Sequence, residues 1–139
     1  LVQVGVRDFC DAEQELADNE KRIVSFTDRM LSRALYEGST WGELCAQIVE
    51  QLPSKVYVSF DIDALEVQYC PTTGTPVVGG LTFNQAAYLL SRVVESGRHI
   101  IGFDLVEVAP SRIGCTDEMV GARMLYKLCC ATLSSQIDK

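Results

Sequence analysis

The sequence predicts an α/β fold in which a parallel sheet is covered by helices, and three observations carry that prediction. Short β-branched and aromatic runs alternate with amphipathic helical stretches along the 139 residues. The joints between them are mostly short, so each helix returns the chain to start the next strand in the same direction. Two of the helices announce their starts with capping boxes. Hydrophobic residues make up 47% of the chain, enough to build a core and to argue against disorder. The length fits one domain without repeats, low-complexity stretches or an internal linker.

In chain order, residues 1–6 read as a strand. There is no initiator Met, and a chain that opens in mid-strand is expected to be a piece of a longer polypeptide. Residues 11–20 are polar and acidic, a loop or a short helix, and residues 23–26 form a short strand. Residues 28–36 are helical, and Gly38 ends them. Thr40-Trp41-Gly42-Glu43 opens the next helix, with Trp41, Leu44, Ile48 and Leu52 at helical spacing and Pro53 closing it. Residues 55–60 are β-branched and aromatic, a buried strand. Thr82-Phe83-Asn84-Gln85 is the second capping box, with Phe83, Ala87, Leu90 and Val94 as its stripe and Gly97 at the end. Residues 99–106 form another apolar strand. Residues 117–133 form a last helix, apolar nearly all round and therefore expected to be well buried.

Charge and composition exclude some partners. The formal net charge is −7 and Lys and Arg are not clustered, so a nucleic-acid backbone is a poor match. An acidic balance suits a cationic small molecule or metal ions. No signal peptide is visible and no apolar run reaches the length of a membrane span, so no membrane partner is expected. The six cysteines form no CxxC pair, which predicts reduced, buried thiols in a cytoplasmic protein. At least one of the adjacent Cys129 and Cys130 is expected to pack as a small hydrophobe.

Three acids stand out by position. Asp61 and Asp63 follow the strand that ends at Phe60, and Glu107 follows the strand that ends at Val106. In parallel α/β sheets ligands bind outside the carboxyl ends of the strands, where all three acids fall. In extended backbone, residues two apart share a face with Cα atoms about 6–7 Å apart. That separation lets two carboxylates embrace a pair of metal ions about 3.5–4 Å apart. The same Asp-x-Asp also reads as a polar loop entry or a helix cap, and both readings stand on the residues alone. Residues 70–80 form a long loop rich in Gly, Pro and Thr without a phosphate-binding Lys, a stretch of the kind that is functional or mobile. His99, the single histidine, starts its strand about 26 Å of extended chain from Glu107, which excludes it from the same site.

Ser59-Phe60-Asp61-Ile62-Asp63-Ala64-Leu65, followed by Thr73-Gly74-Thr75-Pro76-Val77-Val78-Gly79-Gly80-Leu81, resembles the C-terminal signature of the ureohydrolases. That family includes arginase, agmatinase and formimidoylglutamase. Phe103-Asp104-Leu105-Val106-Glu107-Val108-Ala109-Pro110 resembles the next family motif, and Gly121-Ala122-Arg123-Met124-Leu125 resembles the closing helix. Residues 1–139 are thus similar to the C-terminal part of one ureohydrolase domain whose upstream half lies outside this sequence. The resemblance implies a three-layer α/β/α sandwich, assembled as a homo-trimer or homo-hexamer.

It further implies that Asp61 and Asp63 are ligands of two Mn²⁺ ions, and that Glu107 is the catalytic and substrate-binding acid that faces the guanidinium group. The implied reaction is attack of a metal-bridging hydroxide on a guanidino carbon, giving urea and an amine, with arginine as the expected substrate. Gly5-Val6-Arg7-Asp8 is similar to the arginase segment near the substrate's α-amino group; Glu13 aligns with an acid there and is a candidate substrate contact. Cys10 stands where well-known arginases have Asp, and Glu66-Val67 replaces the family's Asp-Pro. The family's histidine-bearing metal motifs and proton-shuttle histidine would precede Leu1. The alternatives are an agmatinase or formimidoylglutamase type of activity, or a non-catalytic subunit derived from the family. A haloacid-dehalogenase-like phosphatase, with Asp61 as nucleophile, is disfavoured by Leu65, where that motif wants Thr or Val.

Overall fold

The computed structural model describes residues 1–111 and 114–137. Strand β1 (Val2–Val4) pairs in parallel with β2 (Val24–Phe26), and the chain between them forms helix α1 (Asp11–Asn19). The acidic stretch is therefore a helix rather than a loop. Helix α2 (Asp28–Tyr36) starts where the Thr27 hydroxyl accepts the Met30 N–H at 3.3 Å. Helix α3 (Trp41–Glu50) follows, then β3 (Lys55–Asp61), α4 (Phe83–Glu95), β4 (His99–Val106) and α5 (Thr116–Ser135). Strands β3 and β4 are parallel, with Lys55 opposite His99 at one end and Asp61 opposite Val106 at the other.

Both expected capping boxes form. Glu43 accepts the Thr40 N–H at 2.7 Å and Gln85 accepts the Thr82 N–H at 2.8 Å, while each threonine hydroxyl accepts an N–H in return. Trp41 ties α3 to α4 by donating its indole N–H to the Gln85 carbonyl at 3.1 Å.

Four expectations change. Among the described residues the strands form two separate pairs, β1–β2 and β3–β4, not one continuous sheet. A cavity of about 520 Å³ lies between the pairs, lined by β1 on one side and β3 on the other. Helix α5 buries a single stripe, including Val120, Met124 and Leu128, and exposes Met119, Leu125, Tyr126 and Leu133. Its apolar circumference thus exceeds the surface this chain offers to cover it. Only Cys45 and Cys70 are buried; Cys129 and Cys130 are both exposed on the outer side of α5, and all six thiols are free. On α4 the buried side chains are Ala86, Leu90 and Val93, so the inward stripe is rotated one residue from the expected Ala87.

The core explains how the acidic segment is held. After β3 the chain turns through one 3₁₀ turn (Ile62–Ala64) and, after Leu65 and Glu66, a second (Val67–Tyr69). Ile62 and Leu65 are fully buried among Leu31, Leu44, Ala86 and Met124. Burying two such side chains contributes about 1.5–3 kcal/mol each. Alternation of apolar anchors with acids therefore presses Ile62 and Leu65 inward and leaves Asp61 and Asp63 at the surface of the core.

Candidate functional site

Asp61 ends β3, and its carboxylate accepts the Asp63 N–H at 3.0 Å. This local turn, characteristic of Asp and Asn side chains, bends the chain into the 3₁₀ turn. The two acids are therefore brought together by a turn and not by the extended backbone expected from their spacing. Burial pushes the Asp61 carboxyl up to about 6; the Asp63 N–H opposes this, and the charges of Asp63 and Glu107 add to it. Asp61 thus feels the charge of both other predicted acids at the carboxyl edge of β3 and β4. His99 pairs with Lys55 at the opposite end of the strands, outside the cluster as expected.

Glu107 lies one residue past Val106, the partner of Asp61. It has φ +61°, the only positive φ of a non-glycine residue among those described. Such a conformation costs about 1–3 kcal/mol and persists where surrounding contacts fix it, often at functional positions. The Thr73 hydroxyl supplies one such contact, donating to the Glu107 carbonyl at 3.0 Å.

The loop of residues 70–80 is tied down from four sides. Asp117, fully buried in the first turn of α5, accepts the Thr72 N–H at 3.1 Å. Thr75 donates its hydroxyl to the Asp63 carboxylate at 2.9 Å. Asp28 accepts the Gly80 N–H at 3.1 Å from the start of α2. Arg7, just past β1, donates Nε and Nη2 to the Val77 carbonyl at 3.0 and 2.9 Å, and Nη2 also to the Asp63 carbonyl. Gly79 and Gly80 have φ +100° and +98°, and a Cβ on Gly80 would lie 2.8 Å from the Leu65 backbone. Only glycine fits there.

Arg7, Thr73 and Thr75 are the site residues that candidate selection by carboxylates missed. Arg7 could have been found by the rule that singled out Asp61, since it directly follows residues 1–6, which read as a strand. The two threonines had only their place in the Gly- and Pro-rich loop to mark them. Glu13, the predicted substrate contact, is engaged locally: its carboxylate accepts the Cys10 N–H at 2.8 Å at the start of α1, which lowers its pKa.

The donor set suits a hard cation in part. Asp61 and Asp63 offer carboxylate oxygens whose mutual repulsion a cation would relieve. Among the described residues, no group of three or more His, Cys, Asp or Glu side chains is placed to hold a metal ion. On their own, the described residues would supply only part of a metal ion's donors. No helix among the described residues is long and apolar enough to cross a membrane.

Known proteins resemble this chain in sequence and fold. An arginase from Emericella nidulans is 36% identical over 137 residues, covering 99% of this chain and 39% of that protein. An N(1)-aminopropylagmatine ureohydrolase from Thermococcus kodakarensis is 39% identical over 79 residues, covering 57% of this chain and 27% of that one. The solved structure of proclavaminate amidino hydrolase from Streptomyces clavuligerus superposes with a TM-score of 0.76 at 26% identity, over 97% of this chain and 43% of that one. The chain thus spans well under half the length of these proteins. A model of the Arginase family matches residues 1–130, and the chain belongs to that family.

Proposed function

We propose that residues 1–139 are the C-terminal part of a ureohydrolase domain that cleaves a guanidino compound, arginine first, to urea and an amine with the help of two Mn²⁺ ions. The observation that carries this reading is the placement of Asp61, Asp63 and Glu107 at the shared carboxyl end of β3 and β4, beside a loop pinned from four sides. In this reading Asp61 and Asp63 hold metal. Two divalent cations supply water activation and stabilise negative charge as the guanidino carbon is attacked. Thr75 keeps the Asp63 carboxylate in one orientation by its hydrogen bond. Glu107 accepts N–H groups of the guanidinium, adding charge and planar recognition. Glu13, exposed and held in one rotamer by the Cys10 N–H, is the proposed contact for the distal end of the substrate.

Similarity to relatives named for aminopropylagmatine and guanidinopropionate favours agmatine or another guanidino compound as the alternative substrate. A non-catalytic subunit is the second reading, favoured by the shortage of clustered metal donors among the described residues. Six unpaired thiols support a reducing, cytoplasmic setting. The exposed apolar face of α5 supports assembly into a homo-trimer or homo-hexamer.

The test is urea release by the whole gene product, with Mn²⁺ added, from arginine, agmatine and shorter guanidino acids. Metal-dependent release from at least one is expected. Metal binding without urea from any of them would favour the non-catalytic reading.

A further inference from the structure

Glu107 holds a left-handed backbone that non-glycine residues adopt uncommonly and at a cost, which points to contacts that hold it there. The candidate is on the facing loop. Thr73 is 5% exposed, and a buried hydroxyl needs an acceptor. The one it finds is the Glu107 carbonyl, at 3.0 Å. Holding that carbonyl restricts the rotation of the backbone at residue 107. The next residue, Gly74, runs past the acid itself: a Cβ there would lie 3.1 Å from Glu107 Oε2. On the far side Val108 packs against Gly121 of α5, where a Cβ would come within 3.0 Å of the valine methyl. Asp117, in the same first turns of α5, accepts the N–H of Thr72 and so fixes the residue before Thr73. Its second oxygen has no partner among the described residues. Backbone, carboxylate and the loop that holds them are thus each constrained by a separate contact.

We propose that Thr73 is a positioning residue whose buried hydroxyl holds Glu107 in its left-handed conformation and so aims the carboxylate across Gly74 toward the guanidinium position. Asp117 supports it by anchoring Thr72. The proposal rests on the reading of Glu107 as the guanidinium acceptor. It does not require Thr73 to touch substrate or metal.

The experiment uses the whole gene product and three variants. Thr73→Val removes the hydroxyl at nearly constant volume, Thr73→Ser keeps it, and Gly74→Ala crowds the carboxylate while leaving the hydroxyl. Gly74 has no positive φ, so alanine strains no backbone there. Crystal structures report the conformation at residue 107, and kinetics with Mn²⁺ report KM and kcat for the guanidino substrate. In Thr73→Val, residue 107 is expected to leave the positive-φ region and KM to rise about tenfold, with Mn²⁺ affinity unchanged. Thr73→Ser should stay within about twofold of wild type. Gly74→Ala should keep the positive φ and raise KM about fivefold, which carries the test if the valine variant does not fold.

An unchanged backbone and KM in Thr73→Val would overturn the proposal. So would a serine variant as impaired as the valine one, a Gly74→Ala enzyme with wild-type KM, or a fall in Mn²⁺ affinity in step with the rise in KM. If wild type releases no urea, the functional reading fails alone, and the conformation of residue 107 in the threonine variants still decides the role of Thr73.

Discussion

Asp61 is the residue at which burial and neighbouring charge can be read most directly. Burial, joined by the charges of Asp63 and Glu107, raises its carboxyl from 3.8 to about 6. A group whose folded-state pKa is raised contributes stability below its unfolded value, and that contribution is lost as pH rises through the folded one. The metal-free protein should therefore lose stability between about pH 4 and 6, an effect tempered by partial exposure of the group. Urea denaturation at pH 4.5 and pH 7 checks this: Asp61→Asn should flatten the difference, and Mn²⁺ at pH 7 should oppose it. Two substitutions separate the roles of the other acids. Asp63→Asn removes a charged donor and should lower bound Mn²⁺, measured by metal analysis. Glu107→Gln keeps the shape of the side chain and should impair urea release with metals retained. Metal loss in that variant would make Glu107 a ligand instead.

Among the elements, the loop of residues 70–80 shows how a stretch without regular structure is made rigid. It borrows anchors from β1's end, the 3₁₀ turn at Asp63, and the starts of α2 and α5. Arg7 bridges the loop and the acid-bearing turn through the main-chain carbonyls of Val77 and Asp63. Arg7→Gln should destabilise the protein by about 2–3 kcal/mol, the scale of losing hydrogen bonds to a charged group. Hydrogen exchange should speed up at residues 70–80 and leave α3 unchanged; uniform acceleration throughout would mean that Arg7 supports the fold at large rather than this loop. The helices were more legible than the loop because their signals are local. A Thr followed by Glu or Gln three residues later satisfies its own helix start wherever it lies, as at Thr40 and Thr82. The loop's anchors come from up to 70 residues away, as between Arg7 and Val77, and leave no local pattern.

For the molecule as a whole, the decisive feature is that β1 and β3 face each other across a cavity without sharing ladder hydrogen bonds. Each presents backbone donors and acceptors to that space, and α5 presents exposed Met119, Leu125, Tyr126 and Leu133 on its outer side. Residues 1–139 alone should consequently release no urea from arginine or agmatine and bind Mn²⁺ weakly, because two carboxylates without further donors make a poor transition-metal site. Light scattering of the purified piece should show association driven by these surfaces. Turnover matching that of the whole gene product would place the active site elsewhere.

The sequence by itself determined the order of elements, both capping boxes, the placement of Asp61, Asp63 and Glu107 at strand ends, and the family resemblance. Periodicity, turn chemistry and motif order are properties of neighbours along the chain. Tertiary structure decided the rest. It split the strands into two pairs, turned the inner face of α4 to Ala86, and exposed Cys129 and Cys130 on a helix whose sequence looks buried. It also set the left-handed backbone of Glu107 beneath the Thr73 hydroxyl, 34 residues away in sequence. These features depend on which surfaces meet, and an apolar side chain is buried only where another element is present to cover it.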